Sequence, residues 1–203
     1  MHSRSKRVFS GKYVFSVDET VYEPAEDSFL FSENLHVKHY EHVLDVGTGC
    51  GLLAIIAAEK AAEVVGVDIN PHAVRCAKEN AEFNNAHNIS FIQGDLLSSL
   101  SDSAEFDLVL FNAPYLPIDD SEPDSWTIRA WSGGHSGRET IDRFIAQSGF
   151  HLRRTGRILL LQSNIAGIEK TRQAFGSYGM RAEIVAERSV PFFERIVVVQ
   201  AKF

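Results

Sequence analysis

A short apolar run, Val43-Leu44-Asp45-Val46, passes directly into Gly47-Thr48-Gly49-Cys50-Gly51 and then into the apolar, alanine-rich stretch Leu52 to Lys60. A strand, a glycine-rich turn and a buried helix in that order point to a parallel α/β unit. Nineteen residues beyond Gly49, Asp68 closes a second strand-like run, Glu63 to Val67. Glycines let the backbone approach a ligand, helix-start N–H groups attract an anion, and an acid at the next strand's end can accept from two ribose hydroxyls. Gly49-Cys50-Gly51-Leu52-Leu53-Ala54 satisfies the dinucleotide-binding pattern with alanine last, so the unit alone permits any nucleoside cofactor. Asp45 narrows that choice. A carboxylate just before the glycines repels a pyrophosphate but attracts a cationic sulfonium and ammonium, which favours S-adenosylmethionine over NAD. Asp95, at the end of a third run, Ile89 to Gln93, is placed to take the adenine or its neighbourhood.

The remaining elements extend the alternation. Pro24 and the acids after it start a helix through Leu35, where they read as ordinary capping. Pro71 opens a second helix through about Asn84, Ile141 to Leu152 reads as a third, and about Ile165 to Tyr178 as a fourth. Further strands are expected at Tyr13 to Val17, Phe106 to Phe111, Ile158 to Leu161, Ala182 to Ala186 and Arg195 to Ala201, the last two as a hairpin across Pro191-Phe192-Phe193. The order predicts a Rossmann-like α/β fold: a seven-stranded, mostly parallel sheet with one antiparallel strand and helices on both faces. Residues 1–203 are expected to form one domain, with 1–12 a mobile tail.

A formal charge of −7, from 27 acidic and 20 basic residues, argues against a phosphate-tracking surface over the whole protein. No apolar run approaches a membrane span and no hydrophobic stretch follows the basic N-terminus, which points to the cytosol. Cys50 and Cys76 lack metal-ligand spacing, and His36, His39 and His42 lack acidic or cysteine companions, so no metal is assigned.

Asn112-Ala113-Pro114-Tyr115 follows the strand ending at Phe111, at the sheet edge where ligands bind in open α/β folds. Asn112 offers a side-chain carbonyl, Pro114 biases Ala113 towards an extended conformation that can aim its backbone carbonyl, and Tyr115 supplies an aromatic face. Two acceptors beside a plate suit a planar NH2 group. Pro117 to Gly137, with Trp126 and Trp131, is too long to be a plain connection and reads as a substrate-side lid.

Together these stretches resemble the class I S-adenosylmethionine-dependent methyltransferases, and within them the HemK/PrmC release-factor glutamine methyltransferases. Asp45 to Gly51 looks like the family's cofactor loop and Asn112 to Tyr115 like its Asn-Pro-Pro-Tyr motif, with Ala113 standing where the first proline would be. Val21 to Ser28, Asp68-Ile69-Asn70-Pro71, and Arg129 to Gly134 with Gly137-Arg138-Glu139 resemble the short archaeal and eukaryotic branch. The resemblance implies that Ser28, Asp45, Gly47, Gly49, Asp68, Asp95, Leu96 and Asn112 hold the cofactor. Asn112, Ala113, Pro114 and Tyr115 would hold the acceptor, with Asn112, Pro114 and Tyr115 catalytic. It further implies a class I release factor as substrate and a small zinc-binding activator protein as heterodimer partner. The rival acceptors are an adenine amino group of DNA or RNA, whose phosphates the acidic balance disfavours, and lysine, whose ammonium an amide clamp does not deprotonate.

Overall fold

The computed structural model describes residues 5–119, 121–191 and 194–203. A seven-stranded sheet runs through the molecule in the order β5-β4-β3-β6-β7-β9-β8. Its strands are β3 (His42–Val46), β4 (Glu63–Asp68), β5 (Ile89–Gln93), β6 (Phe106–Asn112), β7 (Leu152–Ser163), β8 (Arg181–Ser189) and β9 (Arg195–Lys202). Only β9 runs antiparallel to its neighbours. It is last in the chain but lies between β7 and β8, so the odd strand is inside the sheet rather than appended to its edge.

Alternation along β6 explains the two-sided core. Leu108 and Leu110 pack beneath α1 (Glu26–Glu33), α2 (Leu52–Ala58) and α3 (Pro71–Phe83), while Val109 and Phe111 face α5 (Glu139–Ser148) and α6 (Ile168–Ser177). Both sides being covered, the central strands read as continuous apolar runs. From β3 the chain steps outward through β4 to β5, then returns to place β6 on β3's other side. The order therefore reverses between β3 and β6, which is where such sheets open a ligand crevice.

Four differences from the sequence expectation have physical causes. Residues 6–10, expected in a tail, form β1 (Lys6–Ser10), paired with β2 (Tyr13–Val17) around a Gly11-Lys12 turn with Gly11 at φ +56°. Asn80 on α3 and Asn84, one turn on at its C-cap, each accept from and donate to the β2 backbone at Ser16 and Val14, and thereby dock the hairpin. Second, the helix expected to reach Leu152 stops at Ser148, because Leu152 already pairs with Phe106 at the start of β7. Third, the alternation of strand and helix breaks between β5 and β6, where the Ser- and Asp-rich residues 94–105 form turns. Fourth, the stretch 117–137 contains α4 (Trp126–Arg129), started by Ser125 accepting from Ile128 N–H. Phe192 and Phe193, expected in the last hairpin's turn, lie outside the described residues. No helix among the described residues is long and apolar enough to cross a membrane.

Candidate active site

At the carboxyl ends of β3 and β6 a cavity of about 510 Å3 opens, and every site residue named from the sequence lines it: Ser28, Asp45, Gly47, Gly49, Asp68, Asp95, Leu96, Asn112, Ala113, Pro114 and Tyr115. Its size is that of a small-molecule site. The glycine loop builds one wall. Gly51, at φ +85°, starts α2 so close to α3 that a Cβ there would sit 3.1 Å from that of Ala77. Asp68 clamps the loop from the next strand, its Oδ2 accepting from Gly49 N–H at 2.9 Å and its Oδ1 from Asn70 N–H at 2.9 Å. Burial pushes the Asp68 carboxyl up, against those two donors.

Asp45 is 1 % exposed. Its Oδ2 accepts from Thr48 Oγ1 at 2.7 Å and from Ala54 N–H at 3.2 Å, while Oδ1 is sealed from solvent with no hydrogen-bond partner. Burial pushes its pKa up to about 7, the two hydrogen bonds oppose this, and the charge of Asp68 adds to it. A buried acid with an empty acceptor and no cation beside it matches a cationic guest.

Across the cavity, Asp95 meets Arg143 of α5 in a half-exposed ion pair. Leu96, buried beside it, adopts a left-handed φ of +52°, a conformation that costs an L-residue about 1–2 kcal/mol and tends to recur at ligand sites.

Beyond the glycine loop lies Asn112. Its Nδ2 donates to Asp27 Oδ2 at 3.2 Å and to Ser28 Oγ at 3.3 Å, while Oδ1 is buried without a partner. Asp27, read from the sequence as ordinary capping, is 6 % exposed at the start of α1 and takes the Tyr22 hydroxyl at 3.1 and 3.2 Å on its two oxygens. Ala113 is buried and anchored through its N–H to Leu161 O at 3.2 Å. The phenols of Tyr22 and Tyr115 are pushed up by burial and then by the Asp27 charge, so both keep their protons at neutral pH.

The expected lid contributes Trp126, Arg129, Ala130, Trp131 and Ser132 to the wall. It is pinned where Leu116 bridges Ser132 and where Gly137, at φ +71°, packs so tightly that a Cβ would lie 2.5 Å from Tyr115 O. Tyr22, Asp27, Thr48 and Arg143 were not singled out as site residues by sequence reasoning. Asp27 had a signal, since it directly precedes Ser28, but nothing local says that it faces a residue on β6.

The sheet order, the clamped glycine loop and the polar strand ends define a class I methyltransferase domain, and residues 38–128 match the family described as Methyltransferase domain. Over 88 % of its length the chain is 45 % identical to a candidate protein N5-glutamine methyltransferase of Methanocaldococcus jannaschii, 90 % of which is covered. It is 34 % identical over 80 % of its length to the mouse methyltransferase HEMK2, covering 82 % of that protein. The chain belongs to the HemK-type methyltransferase family, in its short archaeal and eukaryotic branch. In fold it matches the Mtq2–Trm112 complex of E. cuniculi, described as responsible for methylating the translation termination factor eRF1, at a TM-score of 0.70 and 24 % identity over 90 % of this chain and 98 % of that one.

Proposed function

We propose that the protein transfers a methyl group from S-adenosylmethionine to the side-chain nitrogen of a glutamine in a class I release factor. The observation that carries this is the state of Asn112: its NH2 is tied down by Asp27 and Ser28, and its carbonyl is left as an unpaired acceptor in a cleft with a raised-pKa aspartate. The residues present fit the cofactor. Asp45 offers an unpaired oxygen to a cation, Asp68 retains lone pairs for ribose hydroxyls, and Asp95 and Leu96 stand at the end of the next strand for the adenine. When bound, the cofactor supplies a methyl group activated by a sulfonium.

A carboxamide nitrogen is a poor nucleophile because its lone pair is delocalised into the carbonyl. Asn112 Oδ1 and the Ala113 carbonyl would each accept one N–H, concentrating electron density on the nitrogen and fixing its direction. Tyr115 would lie along the amide plane. Alanine at position 113 leaves that carbonyl in place, held by the 113–161 hydrogen bond and by Pro114 after it. A small zinc-binding activator protein as heterodimer partner and a cytoplasmic location complete the reading. Support for the first comes from the two-protein assembly of the fold neighbour.

Mass spectrometry of release factor incubated with the protein and isotope-labelled donor tests the proposal. One labelled methyl on a glutamine is expected. Label on lysine, or on nucleic acid supplied in parallel, would overturn the acceptor assignment.

A further inference from the structure

A carboxamide is nearly symmetric in shape, so packing alone cannot decide which end of Asn112 faces the cleft. Hydrogen-bond polarity can. The Asn112 NH2 meets Asp27 Oδ2 at 3.2 Å and Ser28 Oγ at 3.3 Å. Ser28 in turn donates both its N–H, at 2.6 Å, and its hydroxyl, at 3.1 Å, to Asp27 Oδ1, which leaves the hydroxyl's lone pairs for Asn112. Tyr22 donates to the same carboxylate. Asn112, Ser28 and Tyr22 thus all donate to Asp27, and a turned amide would set Oδ1 against a carboxylate oxygen at about the same distance, acceptor against acceptor.

We infer that Asp27 is a positioning residue: its carboxylate, held by Tyr22 and the start of α1, orients the Asn112 amide so that the carbonyl rather than the NH2 faces the acceptor nitrogen. This rests on the proposed role of Asn112 and extends it to a charge 85 residues away in sequence. The substitution Asp27→Asn is isosteric and diagnostic. Ser28 N–H cannot turn, so the new side chain keeps its carbonyl towards it and presents NH2 to Asn112, which must then flip and offer a donor where the acceptor was.

The test measures kcat, KM for recombinant release factor, donor Kd and thermal midpoint for the full chain carrying Asp27→Asn, Asn112→Ala, or both. Asp27→Asn is expected to lower kcat about a hundredfold, the order seen when one preorganised group is lost, with donor Kd and midpoint near wild type. In the double variant Asp27→Asn is expected to add nothing to Asn112→Ala, because it acts through that residue. Wild-type turnover in Asn112→Ala would sink the functional reading itself. Loss in Asn112→Ala with full turnover in Asp27→Asn would overturn this inference alone, as would losses that multiply. Where Asp27→Asn lowers the midpoint, Asp27→Glu and Asp27→Gln carry the test: at least tenfold faster turnover with glutamate supports the inference, and equal rates overturn it.

Discussion

Strand β3 has a buried acid near each end, and the two are treated in opposite ways. Glu41, immediately before its first residue, is 8 % exposed and saturated: Arg157 donates to its two oxygens at 2.6 and 3.0 Å and Lys38 N–H adds a third bond at 2.9 Å. Burial would raise its pKa, but Arg157 and Lys38 outweigh that and hold it below the usual glutamate range. Asp45, near the last residue of the same strand, has two donors, no cation and one empty oxygen, and is driven up to about 7. One carboxylate is part of the scaffold. The other is left short of partners, which costs folding about 1–3 kcal/mol and is recovered only when a donor arrives. Asn112 Oδ1, on the adjacent strand, repeats the pattern. At the amino end Glu41 is closed on by Arg157 and Lys38, whereas at the carboxyl end Asp45 and Asn112 each keep one buried oxygen without a partner.

The contrast shows first in the response to pH. The folded-state value for Asp45 lies above the ordinary aspartate value near 3.9, so its contribution to stability is fully present below that value and is lost as pH rises, until the carboxyl has ionised above about 7. Across that window the ligand-free protein should lose on the order of 4 kcal/mol from this group. Thermal denaturation of Asp45→Asn beside wild type should show a flatter slope there, and parallel curves would remove Asp45 from the comparison.

At the other end, Arg157→Leu strands a buried carboxylate. A loss of about 3 kcal/mol is expected, the low end for a broken buried pair because this one lies near the sheet's rim. That corresponds to a midpoint roughly 6–12 °C lower, with kcat unchanged at temperatures where the variant stays folded. A drop in kcat with an unaltered midpoint would reverse the roles assigned to the two ends. The narrowest effect, confined to the acceptor side, is expected from Gly137→Ala. A left-handed alanine costs about 1–2 kcal/mol, and its Cβ would press on Tyr115 O, so KM for the acceptor should rise while donor Kd, read by titration, holds.

Much of the sheet was legible because its signals are local. The apolar runs at 43–46, 63–67 and 106–111 and the glycines at 47, 49 and 51 each carry their own reason for being strand or turn. Helix α5 was placed but overrun at its end, because Leu152 has the same apolar character in a helix as in a strand, and only its pairing with Phe106 decides between them. Residues 1–12 looked like a tail for a similar reason: the hairpin begun by residues 6–10 is stabilised by Asn80 and Asn84, some seventy residues on.

Asp45, Asp68, Asn112 and Tyr115 could be named as site residues from their positions at strand ends, since strand direction and period suffice to bring those ends together. What the chain's order of residues determined by itself was therefore the α/β architecture and the edge at which the cavity opens. Only the tertiary structure decided that Asp27 rather than a neighbouring acid faces Asn112, that Arg143 meets Asp95 across 48 residues, and that Asp45 Oδ1 and Asn112 Oδ1 are among the buried oxygens left unpaired. Backbone patterning is set by neighbours three or four residues away. Hydrogen-bond polarity in a cleft is set by whichever distant groups the packed helices and strands bring within about 3 Å.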